Sequence, residues 1–182
     1  PHRKPTAPAL AALNKPSEVS TQYGTRSKLF LPDGTSVWLN SGSRLTYDSA
    51  FGKTLREVSL TGEAFFDVAK NKQKPFIIHT GNINIRVLGT SFNVKSYPGD
   101  KTIETSLIQG KIEVSFKDRS QSAVILNPNQ KLVVENNPAE NIAQTNATDA
   151  LPEKTAIIIN PVSHFGPDSL ITESAWVDNL LV

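Results

Sequence analysis

The sequence predicts an all-β domain of stacked short antiparallel strands, closing as a two-sheet sandwich or a short β-solenoid. Three observations carry that expectation. Apolar and polar residues alternate over short runs, as on strands with one buried face. Turn residues recur at nearly even spacing: Gly42, Gly62, Gly81, Gly110 and Asn129 lie 20, 19, 29 and 19 residues apart. Between them the spacing of an amphipathic helix is hard to find.

Residues 1–18 (PHRKPTAPALAALNKPSE) carry four prolines and no sustained periodicity, and read as a linker. The β domain is expected over 19–135. Its clearest signal is LPDGTSVWLNSGSRLTY, from Leu31 to Tyr47. Pro32 suits the second position of a tight turn, Asp33 can bond its local backbone, and Gly34 can adopt positive φ, so these three residues reverse the chain. Val37 and Leu39 then alternate with Ser36, Trp38 and Asn40. Asn40 to Ser43 supplies the next break, and Leu45 and Tyr47 resume the pattern.

The later units repeat it. Apolar residues fall two, four and six positions after Gly62 (Ala64, Phe66, Val68), after Gly81 (Ile83, Ile85, Val87) and after Gly110 (Ile112, Val114, Phe116). The long interval holds an extra turn near Tyr97, Pro98 and Gly99. A unit of this kind cannot bury its apolar face alone, so successive units must pack on one another. Residues 136–171 are rich in Asn, Pro, Ala and Thr and read as a connector in which only Ala156 to Ile159 has strand character. Residues 172–182 (TESAWVDNLLV) read as the start of a further, truncated element.

At 182 residues the chain is long enough for one ordinary domain with flanking segments, a size that buries roughly 70% of its unfolded surface. Without cysteine it has no disulfides and no thiolate metal site. It opens on Pro1 and contains no methionine, so it reads as a processed or excised product, with any signal peptide or anchor outside the sequence. Nineteen basic residues balance seventeen acidic ones and are scattered, unlike a nucleic-acid groove. Apolar runs such as Ala9 to Leu13 fall far short of a membrane span.

Catalytic patterns are weak. Of His2, His79 and His164, only His79 lies in the predicted domain, at a strand end where a surface or capping role is expected. No HxH or HExxH spacing and no calcium-loop ladder occurs, and no metal or cofactor is expected. Ser91 follows Gly89, but Asn93 stands where a nucleophile elbow needs its second glycine. Glu63 and Asp67 share a face of one strand and invite comparison with a glycosidase pair. A pairing of Glu63 with Arg56 or another nearby base at a sheet surface explains the same residues and is the stronger reading. Trp38 faces away from Val37 and Leu39: under a second layer it is core, and on a bare face it joins Phe65 and Phe66 in a surface for sugars or peptides. Asn146 to Thr148 matches a glycosylation acceptor.

In order, GTRSKLFLPDGTSVWLNSGSRLTY (Gly24 to Tyr47), REVSLTGEAFFDV (Arg56 to Val68), KPFIIHT (Lys74 to Thr80) and VLGTSFNV (Val87 to Val94) resemble the periplasmic domain of FecR-family regulators, in the form found in Bacteroidetes-type bacteria. Ala175 to Val182 resembles the entry to the small C-terminal domain that often follows. The resemblance implies an anti-sigma regulator that crosses the inner membrane once. Its cytoplasmic region holds an extracytoplasmic-function sigma factor, and its periplasmic part meets the signalling domain of a TonB-dependent receptor. It implies no enzymatic activity, and a transmembrane helix ahead of residues 1–18. The sequence departs from the family at Asn129, where relatives usually have glycine; Asn tolerates positive φ, so the turn is expected to survive. A carbohydrate-binding β module built around Trp38, and a small glycoside hydrolase built on Glu63 and Asp67, are the rival expectations.

Overall fold

A computed structural model describes residues 15–117 and 122–136, and the backbone of 157–161. Residues 1–14 of the expected linker, most of the connector, the C-terminal segment, His2, His164 and the Asn146 acceptor lie outside the described residues. All regular structure described is β, in thirteen strands. They are β1 (Ser17–Ser20), β2 (Ser27–Phe30), β3 (Ser36–Leu39), β4 (Arg44–Tyr47), β5 (Arg56–Asp67), β6 (Phe76–Thr80) and β7 (Ile83–Val87). There follow β8 (Ser91–Ser96), β9 (Thr102–Gln109), β10 (Ile112–Phe116), β11 (Val124–Leu126), β12 (Gln130–Glu135) and β13 (Ile157–Pro161).

The strands form two half-sheets that share β5. One runs β1-β4-β5-β6-β7-β10-β11 and the other β2-β3-β5-β8-β9-β12-β13. The division on β5 is sharp. Thr61 pairs with Arg44 of β4, whereas the next residue, Gly62, pairs with Ser96 of β8. Gly62 has φ 100°, a conformation that L side chains rarely adopt. A Cβ there would also collide with the Ser43 side chain and lie 2.8 Å from Ser43 Cα. Glycine therefore lets one strand turn the corner between the half-sheets, as expected where a sheet bends sharply.

The recurrent turns acquire a common meaning. Gly42 (β3 to β4), Gly62 (within β5), Gly110 (β9 to β10) and Asn129 (β11 to β12) all mark passages between half-sheets, and only Gly81 closes a hairpin within one. Asn129 has φ 67°, so the turn survives the departure from glycine. The apolar residues that follow each turn fill the interior: Leu45, Ala64, Phe66, Ile83, Ile85, Ile112, Val114, Leu132 and Val134 are all fully buried. They join one cluster fed by the inner faces of both halves.

The pairing departs from a stack of short antiparallel strands in two ways. β5 is 12 residues long, and its first half pairs in parallel with β6. A parallel neighbour requires the chain to return to the same end, which residues 68–75 do after β5 has entered the other half-sheet. Backbone pairing also reaches past Glu135, because β13 adds antiparallel to β12 from within the stretch read as connector.

Candidate functional site

The PDG turn is a three-residue hairpin loop. Gly34 N–H donates to Leu31 O at 3.0 Å, Leu31 N–H donates to Thr35 O at 2.9 Å, and Gly34 has φ 86°. This is a type I turn closed by a glycine bulge. Asp33 is fixed within it: Oδ1 accepts from Thr35 N–H (3.0 Å) and Oδ2 from Thr35 Oγ1 (2.8 Å).

Asp33 Oδ2 also accepts from Arg56 Nη1 at 2.8 Å. Arg56, the first residue of β5, is 2% exposed. Its guanidinium reaches two segments of chain: the turn through Asp33, and the return loop through Ala69 O (2.7 Å, from Nη1) and Lys74 O (2.8 Å, from Nε). It also stacks over Phe76, 5.5 Å from the ring centroid. Arg56 thus holds together the turn, the β5 start and the loop that permits the parallel β5–β6 pair. Arg56 does not pair with Glu63, contrary to the surface pairing considered from sequence. Alternation explains why: Arg56, Val58 and Leu60 point inward, whereas Glu63 points outward beyond the corner.

Glu63 is nonetheless 6% exposed. Its oxygens accept from Asn40 Nδ2 (2.7 Å) and Asn93 Nδ2 (2.9 Å), so the carboxylate ties β5 to the end of β3 and to β8. Its backbone N–H donates to Ser43 Oγ at 2.8 Å. Tyr97 closes this region by donating to Ser41 O at 2.8 Å. Burial pushes the Tyr97 hydroxyl above its ordinary pKa; the Ser43 hydrogen bond opposes that rise and the Glu63 charge adds to it. Asp67, by contrast, is exposed and accepts from Ser91 Oγ at 2.8 Å. The two acids share a face and differ completely in setting. Ser91 donates to the Asp67 carboxylate rather than to a histidine.

His79 faces an open groove of about 240 Å³ lined also by Tyr47, Asp48 and Glu57. Its Nδ1 lies 2.7 Å from Asn84 Oδ1 and its Nε2 lies 3.8 Å from Glu57. Among the described residues no three His, Asp or Glu side chains could hold a metal ion together. No helix among them is long and apolar enough to cross a membrane.

Trp38 lies on the outer face of its half-sheet, half-buried, in a row that crosses four strands. Lys28 of β2 pairs with Trp38 of β3, Trp38 with Phe65 of β5, and Phe65 with Asn93 of β8. Trp38 meets Phe65 edge-on at 5.5 Å, and Ile108 packs beside them. Lys28 Nζ sits 4.7 Å from the Trp38 ring and 5.1 Å from that of Phe30, a cation–π arrangement that covers one face of the indole. Phe66 does not belong to this surface: it is buried on the opposite face and stacks on Phe92. Sequence reasoning missed Lys28 and Phe30. The alternation in SKLF, in phase with Trp38 across the turn, was the signal that could have placed them.

The chain matches the family model described as FecR protein over residues 17–113. It is similar to two crystal structures from Parabacteroides distasonis ATCC 8503, each provisionally assigned as an anti-sigma factor. One is 33% identical with a TM-score of 0.67, and the match covers 81% of this chain and 60% of that one. The other is 34% identical with a TM-score of 0.66, covering 80% and 59%. The chain therefore spans about 60% of the length of these structures. No curated protein matches it. The match to the family model spans more than half of the chain and takes in the PDG turn, the Arg56 hub and the Trp38 row; the chain belongs to the FecR family.

Proposed function

We propose that this domain is the periplasmic part of an anti-sigma regulator. In this reading it relays a signal from a TonB-dependent outer-membrane receptor, through a single membrane-spanning helix, to an extracytoplasmic-function sigma factor held in the cytoplasm. The observation that carries the reading is the FecR match together with similarity to structures assigned to anti-sigma factors. The geometry is compatible with work by contact. The buried charged residues, Arg56 and Glu63, engage structural partners, and the uncommitted features are an aromatic and cationic outer face and open strand edges. The domain is proposed to be non-enzymatic. Isothermal titration of the complete periplasmic region, including its C-terminal part, with the receptor's signalling domain tests the reading. Micromolar or tighter binding is expected, and no heat of binding would count against it.

A further inference from the structure

The open edge of β2 carries the features of a strand-docking site. Leu31 N–H bonds across the hairpin to Thr35, and the β2–β3 register continues without a bulge through Leu29↔Val37 and Ser27↔Leu39. In an antiparallel pair the hydrogen-bonding direction alternates residue by residue. Leu29 and Ser27 therefore bond inward to β3, and the N–H and C=O groups of Lys28 and Phe30 point out from the edge. Among the described residues no strand pairs with that side, and neither residue's backbone enters a hydrogen bond elsewhere. Native sheets ordinarily cover, shorten or charge such edges. Here the edge is short and bears one charge, yet Phe30 is 67% exposed beside it, continuous with the Lys28–Trp38–Phe65 row.

We infer that β2 accepts an extended segment of a partner protein in which an Asp or Glu alternates with apolar residues on one face. This deepens the contact-relay reading and rests on it. The backbone of Lys28 and Phe30 would supply the ladder, Phe30 and Trp38 the apolar seat, and Lys28 the mate for the carboxylate, since it has no acidic partner among the described residues. A second copy is a poorer occupant, because β2 (SKLF) has no acid and self-pairing brings two lysines into one short ladder.

The test is hydrogen–deuterium exchange on the full-length protein, alone and with the receptor's signalling domain, joined to titrations of three variants. Protection of the Lys28 and Phe30 amides on binding is expected. Phe30→Pro removes an outward N–H without touching the β3 ladder, and Lys28→Glu reverses the charge; each is expected to weaken binding about tenfold. Lys53→Glu, an equal charge change on an exposed loop, is expected to leave affinity unchanged. Binding without protection of these amides, and without loss in either β2 variant, overturns the docking site and leaves the relay reading intact. Protection in the protein alone that rises with its concentration assigns the edge to self-association and also overturns it. Absence of any binding overturns the relay reading and the inference together.

Discussion

Arg56→Met tests the idea that one buried guanidinium holds the crossing point of the fold. Methionine keeps most of the length and apolar contact but loses the bonds to Asp33, Ala69 O and Lys74 O. Each hydrogen bond involving a charged group contributes about 1.5–3 kcal/mol, but the three are not additive. Breaking a buried ion pair from one side costs about 3–5 kcal/mol, because the remaining charge stays desolvated. Asp33 keeps its two bonds from Thr35, which places the expected loss near the lower end, at about 3 kcal/mol. With a urea slope of about 1.5–2 kcal/mol/M, the unfolding midpoint falls by about 1.5–2 M. Equilibrium unfolding followed by tryptophan fluorescence gives the number directly. A double-mutant cycle with Asp33→Ala isolates the pair and is expected to show coupling above about 1 kcal/mol. Arg56→Met within about 1 kcal/mol of wild type, or strict additivity with Asp33→Ala, would refute the assignment.

Gly62→Ala forces a side chain onto φ 100° and into Ser43; a loss of about 2–4 kcal/mol is expected in the same unfolding assay, and a neutral change would show that the corner does not depend on glycine. Glu63→Gln turns an amide donor toward Asn40 or Asn93, and Asn40 cannot flip without giving up Ser41 N–H and Arg26 at its Oδ1. The expected cost is about 1–3 kcal/mol, against about 0.5 kcal/mol or less for Asp67→Asn. Hydrolysis of any glycan by the wild type, abolished in both amide variants, would instead favour the glycosidase reading. Tyr97 has its pKa raised on folding, so its contribution is complete below the unfolded value of about 10 and is lost as pH rises through the folded value. Denaturation from pH 9 to 11.5 should show a shallower alkaline decline for Tyr97→Phe than for wild type, and equal slopes would contradict that.

Much of the fold was legible because its signals are local. Side-chain alternation along each strand exposed the core residues after each turn, and positive-φ chemistry marked Gly42, Gly62, Gly110 and Asn129. What the sequence leaves open is pairing between distant strands. Nothing near Asp33 announces Arg56, 23 residues later, and nothing near Glu63 announces Asn93, 30 residues later. Both bonds exist only because β5 changes half-sheet at Gly62. Parity along β5 puts Arg56 and Glu63, seven residues apart, on opposite faces, which defeated an expectation based on proximity along the chain. Trp38 was correctly set apart from Val37 and Leu39 by parity, but its neighbours Lys28 and Phe30 emerged only once β2 was paired across the PDG turn.

The central claim is that this β domain relays a receptor signal by contact. It is tested most directly by deleting residues 19–135 from the full-length gene in its native host. The readout is transcription from a promoter of the cognate sigma factor, with and without the receptor's signalling domain. The account predicts that removing the signalling domain changes transcription in wild-type cells and has no effect once the β domain is gone. A response that persists undiminished after the deletion would contradict it.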